Sequence, residues 1–162
     1  MEFNSPLELH NSLVHFLRKE EHVRDILEPY TGGHYEWTAA DWFQGLCLTL
    51  AVALWDWLGF ENAEIYSLED RESEEIEHVA LKVGDIFIDG HGLSSAQDLL
   101  HSWNHKSAPG IVMPESDTQL APFDIAKITV SGLSWEPDIA KLLANCLKDN
   151  LDPKKGTKQL KF

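Results

Sequence analysis

Apolar residues recur at helical spacing near the start of the chain. A serine, a proline and a glutamate at positions 5, 6 and 8 supply an N-cap, a favoured first helical residue and a capping box. This pattern predicts helix over residues 6–28, with a break near Glu20 and an end at Pro29 and the following glycine pair. The apolar positions that define the helical face are Leu9, Leu13, Phe16, Leu17, Val23, Ile26 and Leu27.

A second apolar run, GLCLTLAVALWDWL, covers residues 45–58 and is followed by Gly59. It is too long for a strand and contains no proline, which predicts a helix that is buried on most sides. Gly59 is a natural C-terminal stop. Residues 29–43, just before this helix, are predicted to be a loop rich in aromatic side chains.

Shorter apolar stretches predict strands at 63–68, 78–84 and 85–90. Gly84 and Asp85 stand between the second and the third, where glycine tolerates positive φ and aspartate favours a turn. The second and third strands are therefore predicted to form a hairpin.

Two more helices are predicted, at 94–103 and 137–148, the first capped by Ser94 or Ser95. Residues 104–122 show no clear period, and 123–130 is predicted to be a strand. Helices and strands are segregated along the chain, so we predict an α+β fold, with residues 1–150 as one domain and 151–162 as a basic tail. The side chains expected to point inward are Leu99, Leu100 and Trp103 in the first helix, and Ile139, Leu142, Leu143, Cys146 and Leu147 in the second.

Composition limits the classes of function. The chain has 162 residues and a net charge of -14, which argues against nucleic acid as a main partner because phosphate would be repelled. No run of about 18 apolar residues predicts a membrane span. There is no secretory signal pattern, and the two cysteines are far apart, so we expect free thiols and a cytoplasmic location, or delivery into another cell as an effector. The acidic segment 69–77 is predicted to be a solvated loop, with docking of a basic protein partner as the alternative.

Cys47 stands at the predicted start of the buried helix, where two interpretations apply. A free cysteine in a buried helix often serves only as a small apolar residue. A thiol in the first helical turn also experiences the helix dipole, which favours the thiolate and lowers the thiol pKa. The second interpretation makes Cys47 a nucleophile, with backbone amides of the helix start as oxyanion donors.

A nucleophilic thiol requires a base and a group that orients the base. His78 opens the second strand of the predicted hairpin and Asp89 closes the third. Counting outward from the turn places both at the open end of adjacent strands, about 4.8 Å apart. The sequence therefore predicts a histidine–aspartate pair at that end.

The motifs 45-GLCLTLAVAL-54 and 78-HVALKVGDIFIDGHG-92 resemble the papain-like cysteine hydrolase superfamily over roughly residues 41–103. The similarity is greatest to its compact bacterial and phage branches, which include NlpC/P60-like peptidases, papain-fold toxins and effector glutamine deamidases. The resemblance implies a catalytic cysteine at the start of a buried helix packed on a small antiparallel sheet. It also implies Cys47 as nucleophile, His78 as base and Asp89 as orienting group, in a hydrolase that forms an acyl-enzyme on a protein or peptide substrate. Further candidates for oxyanion or substrate contact are Gln44, Trp42, His91 and Trp103.

Several alternatives stay open at this stage. No cofactor is expected, and a metal centre is disfavoured because only Asp89 and His91 form a close pair of candidate ligands. The same order of cysteine, histidine and aspartate serves transglutaminase-like proteins and arylamine N-acetyltransferases, so a transferase is a further possibility. A non-catalytic binding module with the same fold is the alternative outside the enzyme class.

Overall fold

The computed structural model describes residues 6–19, 21–31, 46–59, 63–104, 107–108, 111–112, 117–124 and 135–151. Five helices lie in this part of the chain: α1 Pro6–Lys19, α2 Glu21–Thr31, α3 Cys47–Leu58, α4 Ala96–Asn104 and α5 Pro137–Asn150. None of the helices in these ranges is both long enough and apolar enough to cross a membrane. The strands in these ranges are β1 Ala63–Asp70, β2 Ile76–Val83, β3 Ile86–Asp89, β4 Gly92–Ser95, β5 Ser107–Ala108, β6 Ile111–Val112 and β7 Thr118–Pro122.

Five of the strands form one antiparallel sheet in the order β4-β3-β2-β1-β7. The short strands β5 and β6 pair separately. The central hairpin turns at Gly84, which has a φ of 59°, and opposes Val83 to Ile86 and Leu81 to Ile88. The predicted hairpin is confirmed, with both strands ending within two residues of the predicted bounds. The α+β class is confirmed as well.

Side chains alternate between the two faces of this sheet, and different helices cover each face. Leu81 and Ile88 point to the side of α3 and join the main core, which also contains residues of α1, α2 and α5. Ala80 and Phe87 point to the opposite side and pack with Leu99 and Trp103 of α4. These two sides are called the α3 face and the α4 face below.

Helix α3 is buried along most of its surface, which explains why its sequence is apolar without a helical period. It begins at Cys47 and packs on β1, β2 and β3, while α5 packs on its other side. It ends at Gly59, which adopts a left-handed φ of 87° as predicted. The indole of Trp57 donates a hydrogen bond of 2.8 Å to the carbonyl of Leu151 and so ties α3 to the end of α5.

The first predicted helix is two helices, α1 and α2, which meet at the predicted break. Helix α2 continues to Thr31 rather than ending before Pro29. A proline in the last turn removes only one hydrogen bond, so the helix can continue past it.

Residues 92–122 differ most from the prediction. Strand β4 was missed because its sequence, GLSS, has only one apolar residue. Strands β5, β6 and β7 lie in residues 104–122, where the sequence shows no clear period. The strand predicted at 123–130 is wrong at its start, because β7 ends at Pro122; residues 125–130 lie outside the described residues.

The two later helices are confirmed with small changes. Helix α4 begins after Ser95, whose hydroxyl accepts a hydrogen bond of 3.1 Å from the Asp98 amide, as an N-cap does. In α5, Leu142 is 53% exposed, so the prediction that it points inward is wrong. Its neighbour Leu143 takes the inward position on the helical face that also carries the buried Cys146.

Candidate active site

A histidine and an aspartate meet at the open end of the central hairpin. Nε2 of His78 lies 2.9 Å from Oδ2 of Asp89, and the two side chains are 0% and 6% exposed. Both residues lie on the α4 face. His78 is two positions from Ala80 in β2, and Asp89 is two positions from Phe87 in β3, and side chains two positions apart in a strand point to the same face. The proximity predicted from the sequence is therefore present, and it is shielded from water.

Two further contacts hold this pair in one orientation. The second oxygen of Asp89, Oδ1, accepts a hydrogen bond of 2.8 Å from the backbone N–H of His91. The imidazole of His78 stacks on the Trp103 ring, with a centroid distance of 4.6 Å and an interplanar angle of 18°. A buried ring with a fixed hydrogen bond and a fixed stacking partner has little freedom to rotate, which suits a base that must point at one acceptor or donor.

Cys47 reaches the same end of β2 from the α3 face. It is the first residue of α3, is 2% exposed, and packs with Val79, the neighbour of His78 in the chain. The backbone N–H of Val79 acts on the thiol and lowers its pKa. The thiol of α3 therefore packs beside Val79 on the α3 face of β2, whereas the ring of the neighbouring residue His78 lies on the α4 face.

The electrostatics of Cys47 differ from the prediction. Burial raises the pKa of its thiol to about 11, and the negative charge of Asp89 raises it further. The amides of Val79, Leu48 and Cys47 itself act in the opposite direction, as expected at a helix start, but they do not offset the loss of water. The expectation of a lowered thiol pKa is therefore wrong, and Cys47 is a neutral thiol at neutral pH in this structure.

His91 lies directly beside the pair. Its side chain is partly exposed, and its backbone N–H donates a hydrogen bond to Asp89. Partial burial lowers the pKa of His91, Asp89 raises it, and the nearby Arg18 and His78 lower it. Of the other predicted contact residues, Trp103 packs directly on His78, whereas Trp42 and Gln44 lie outside the described residues.

Sequence reasoning missed two polar features near this site. Arg18, in the last turn of α1, brings a positive charge to His91. Glu69 is a carboxylate only 5% exposed, and it accepts a hydrogen bond of 3.1 Å from the Ser67 hydroxyl. Ser67 lies opposite Val79 in the sheet and so on the α3 face. A charged residue in an acid-rich segment gave no signal of burial.

A metal centre finds no support in the described ranges, where no group of three or more histidine, cysteine or acidic side chains is arranged to hold an ion. The chain was also compared with protein-family models, curated proteins and solved structures, and none of them matches.

Proposed function

We propose that this protein is a cysteine-dependent amide hydrolase of the papain-like type, with Cys47 as nucleophile, His78 as base and Asp89 as orienting group. The observation that supports this most is the buried 2.9 Å pair of His78 and Asp89. A buried carboxylate on one imidazole nitrogen fixes the tautomer and directs the other nitrogen to a proton donor. The thiol of Cys47, at the start of α3 and packed against Val79 beside His78, is the proposed donor.

The chemistry would follow the usual sequence of acyl transfer. Nδ1 of His78, which is buried, would take the thiol proton as the sulfur attacks the amide carbonyl. Amides at the start of α3, including that of Cys47, would stabilise the oxyanion. The C–N bond would then break as the imidazolium gives its proton to the departing amine. Water, deprotonated by His78, would hydrolyse the thioester and restore the thiol.

The raised thiol pKa determines how the first step must occur. A resting thiolate–imidazolium pair is disfavoured, because burial raises the pKa of Cys47 to about 11. The proton would therefore move during the attack, as it does with a hydroxyl nucleophile. Because the thiol packs on the α3 face and the imidazole on the α4 face, this requires the sulfur or the ring to move at the end of β2 until the sulfur lies within hydrogen-bond distance of Nδ1 of His78 when substrate occupies the site.

The substrate class is a protein or peptide amide: a peptide bond, an isopeptide bond or the side-chain amide of glutamine. A transferase that passes the acyl group to an amine or another acceptor would use the same first half of the reaction. The two are distinguished by whether the product depends on an added acceptor.

The test is the alkylation rate of Cys47 by iodoacetamide as a function of pH, in a Cys146→Ser background. A thiol activated by His78 would react at pH 7 faster than its thiolate fraction of about one in ten thousand allows. The comparison variant is His78→Gln, and the matched control is His15→Gln, because His15 is exposed on α1. We expect His78→Gln alone to slow the reaction at pH 7, by about tenfold or more.

A rate that depends only on thiolate concentration, and is unchanged in His78→Gln, would reject the base assignment.

The second candidate is a binding module without catalysis, and the high thiol pKa is the observation that favours it. In that case Cys47 fills space between α3 and β2, and the partner surface is the acid-rich turn. The segment proposed for docking is shorter than expected: Glu69 and Asp70 belong to β1 and Ile76 to β2, so the exposed part is residues 71–75. A lysine-rich peptide that binds the unmodified chain, and binds more weakly when Glu72, Glu74 and Glu75 are replaced by glutamine, would support this function.

A further inference from the structure

Helix α1 packs against the start of β4, close to the end of β3 that carries Asp89. The amide of Leu93 donates a hydrogen bond of 2.9 Å to Nδ1 of His10. Gly92 lies so close to His10 and Val14 that a β-carbon there would overlap both side chains. His10, Val14 and Arg18 follow one another at intervals of four, so they share one face of the helix. Arg18 is therefore the next residue of the face that contacts Gly92.

The environment of Arg18 is unusual for an arginine. Its Nε is buried, and among the described residues this atom has no hydrogen-bond partner. The chain carries a net charge of -14, and its other two arginines each pair with a carboxylate, Arg24 with Glu21 and Arg71 with Asp117. A guanidinium at a helix C-terminus is favourable to the dipole, but that role does not require a buried nitrogen. Burying an arginine N–H donor without an acceptor costs free energy, and a ligand that supplies an acceptor would remove this cost.

The position of Arg18 connects it to the catalytic candidates. Its charge acts on His91, and the backbone N–H of His91 is bonded to Asp89. Asp89 in turn holds His78. Among the described residues, the side chains whose charge acts on His91 are thus Arg18, His78 and Asp89. The guanidinium is the permanent positive charge of this group.

We infer that Arg18 is a substrate-binding residue that takes a carboxylate of the substrate beside the His78–Asp89 pair. The inference rests on the proposed function, since it assigns a charge to the substrate of that same site. Guanidinium and carboxylate match in geometry, because two parallel N–H donors meet two oxygens. The carboxylate would be either an acidic side chain next to the scissile amide or the C-terminal carboxylate of a peptide.

The test is an NMR titration of the C2–H resonance of His91 in the full chain, assigned with a His91→Gln variant. Three related probes separate the sources of charge. N-acetylglutamate α-amide carries a side-chain carboxylate, N-acetylglutamine carries a terminal carboxylate, and N-acetylglutamine α-amide is neutral. We expect one of the two carboxylates to shift the resonance saturably at millimolar concentration and to raise the His91 pKa, because the bound anion offsets the charge of Arg18. The neutral probe should have no such effect.

Two variants assign the effect to Arg18. Arg18→Gln should weaken carboxylate binding by about tenfold. Lys19→Gln, which removes the same charge from the same helical turn at an exposed position, should leave it unchanged. If Arg18→Gln does not fold, Arg18→Lys replaces it, with an expected loss of affinity because an ammonium lacks the two-pronged geometry.

Carboxylates that do not bind, that bind no better than the neutral probe, or that bind Arg18→Gln as well as the unmodified chain, would overturn the inference. The titration does not use the Cys47 thiol. If the alkylation test fails, the proposal of a hydrolase is rejected. The NMR titration still decides whether Arg18 binds a carboxylate.

Discussion

At the scale of the residue, Cys47 shows two physical effects of opposite sign and unequal size. A helix N-terminus stabilises an anion by about 0.3–1 kcal/mol. The change in the Cys47 pKa from 9.0 to about 11 corresponds to roughly 3 kcal/mol in the other direction. Position in a helix can be read from a sequence, whereas burial of the sulfur depends on strands that come later in the chain. This is why the sequence predicted correctly that Cys47 stands at the start of a helix and predicted its pKa wrongly.

The raised pKa has a consequence for stability at high pH. The folded pKa lies above the unfolded value of 9.0, so above that pH the unfolded chain loses the thiol proton first. This contribution to stability is fully present below pH 9 and is lost as the pH rises through about 11. We expect it to lower the free energy of unfolding by about 2–3 kcal/mol across this window. Urea unfolding of the unmodified chain and of Cys47→Ala, at pH 8 and pH 11, measures it.

Other groups ionise in the same window, so the comparison between the two proteins is what decides. Cys47→Ala should start less stable, by about 1 kcal/mol for the lost sulfur contacts, and should lose less on going to pH 11. Equal losses in both proteins would mean that the Cys47 thiol is exposed to water.

Asp89 is the residue whose removal should separate orientation from packing. Asp89→Asn keeps the size of the side chain but replaces one oxygen by a donor, so the contact to Nε2 of His78 would require the other tautomer. We expect the alkylation of Cys47 at pH 7 to slow by about tenfold or more, with a melting temperature lowered by only a few degrees. Iodoacetamide kinetics and thermal unfolding of the same sample measure the two effects. A rate that stays unchanged would contradict the orienting role.

At the scale of the element, the contact between α1 and β4 depends on a single glycine. Gly92 has a φ of 100°, and an added β-carbon would overlap the side chains of His10 and Val14. Gly59, at the end of α3, has a similar φ of 87° but open space around it. Gly59→Ala should therefore cost only the strain of a left-handed alanine, about 1 kcal/mol, and Gly92→Ala about 3 kcal/mol or more.

Thermal unfolding of these two variants gives the measurement, with expected losses of roughly 3 °C and 10 °C. Equal losses would show that α1 moves away from β4 at little cost. Because α1 also carries Arg18, the carboxylate titration of Gly92→Ala would then reveal whether the position of the helix affects that residue.

The elements that the sequence predicted well share a physical property: their signals are local. The hairpin was predicted because a glycine and an aspartate stand between two alternating strands, and the pairing of His78 with Asp89 followed from counting outward. Helix α5 was predicted from its period, but the assignment of Leu142 was wrong since a helical pattern alone leaves the edge of the buried face undefined. Strand β4 and strand β7 were missed because they owe their conformation to pairing with β3 and β1.

At the scale of the whole molecule, negative charge dominates. With a net charge of -14, repulsion within the folded chain should lower its stability at low ionic strength. We expect the melting temperature to rise by a few degrees between about 0.02 M and 0.3 M sodium chloride, as the Debye length falls from about 20 Å to below 10 Å. Differential scanning calorimetry at several salt concentrations measures this. A decrease would indicate that ion pairs such as Arg71 with Asp117 outweigh the repulsion.

The hairpin that carries His78 and Asp89 also bears on how the chain folds. The two residues are 11 positions apart, whereas the contact between Trp57 and Leu151 joins residues 94 positions apart. Contacts between near residues close small loops and form in microseconds, while distant contacts wait for the slower collapse of the chain. The proposed base and its orienting group would therefore be assembled early. The core around α3 is completed only after α5, which comes about 80 residues later in the chain, has packed against it.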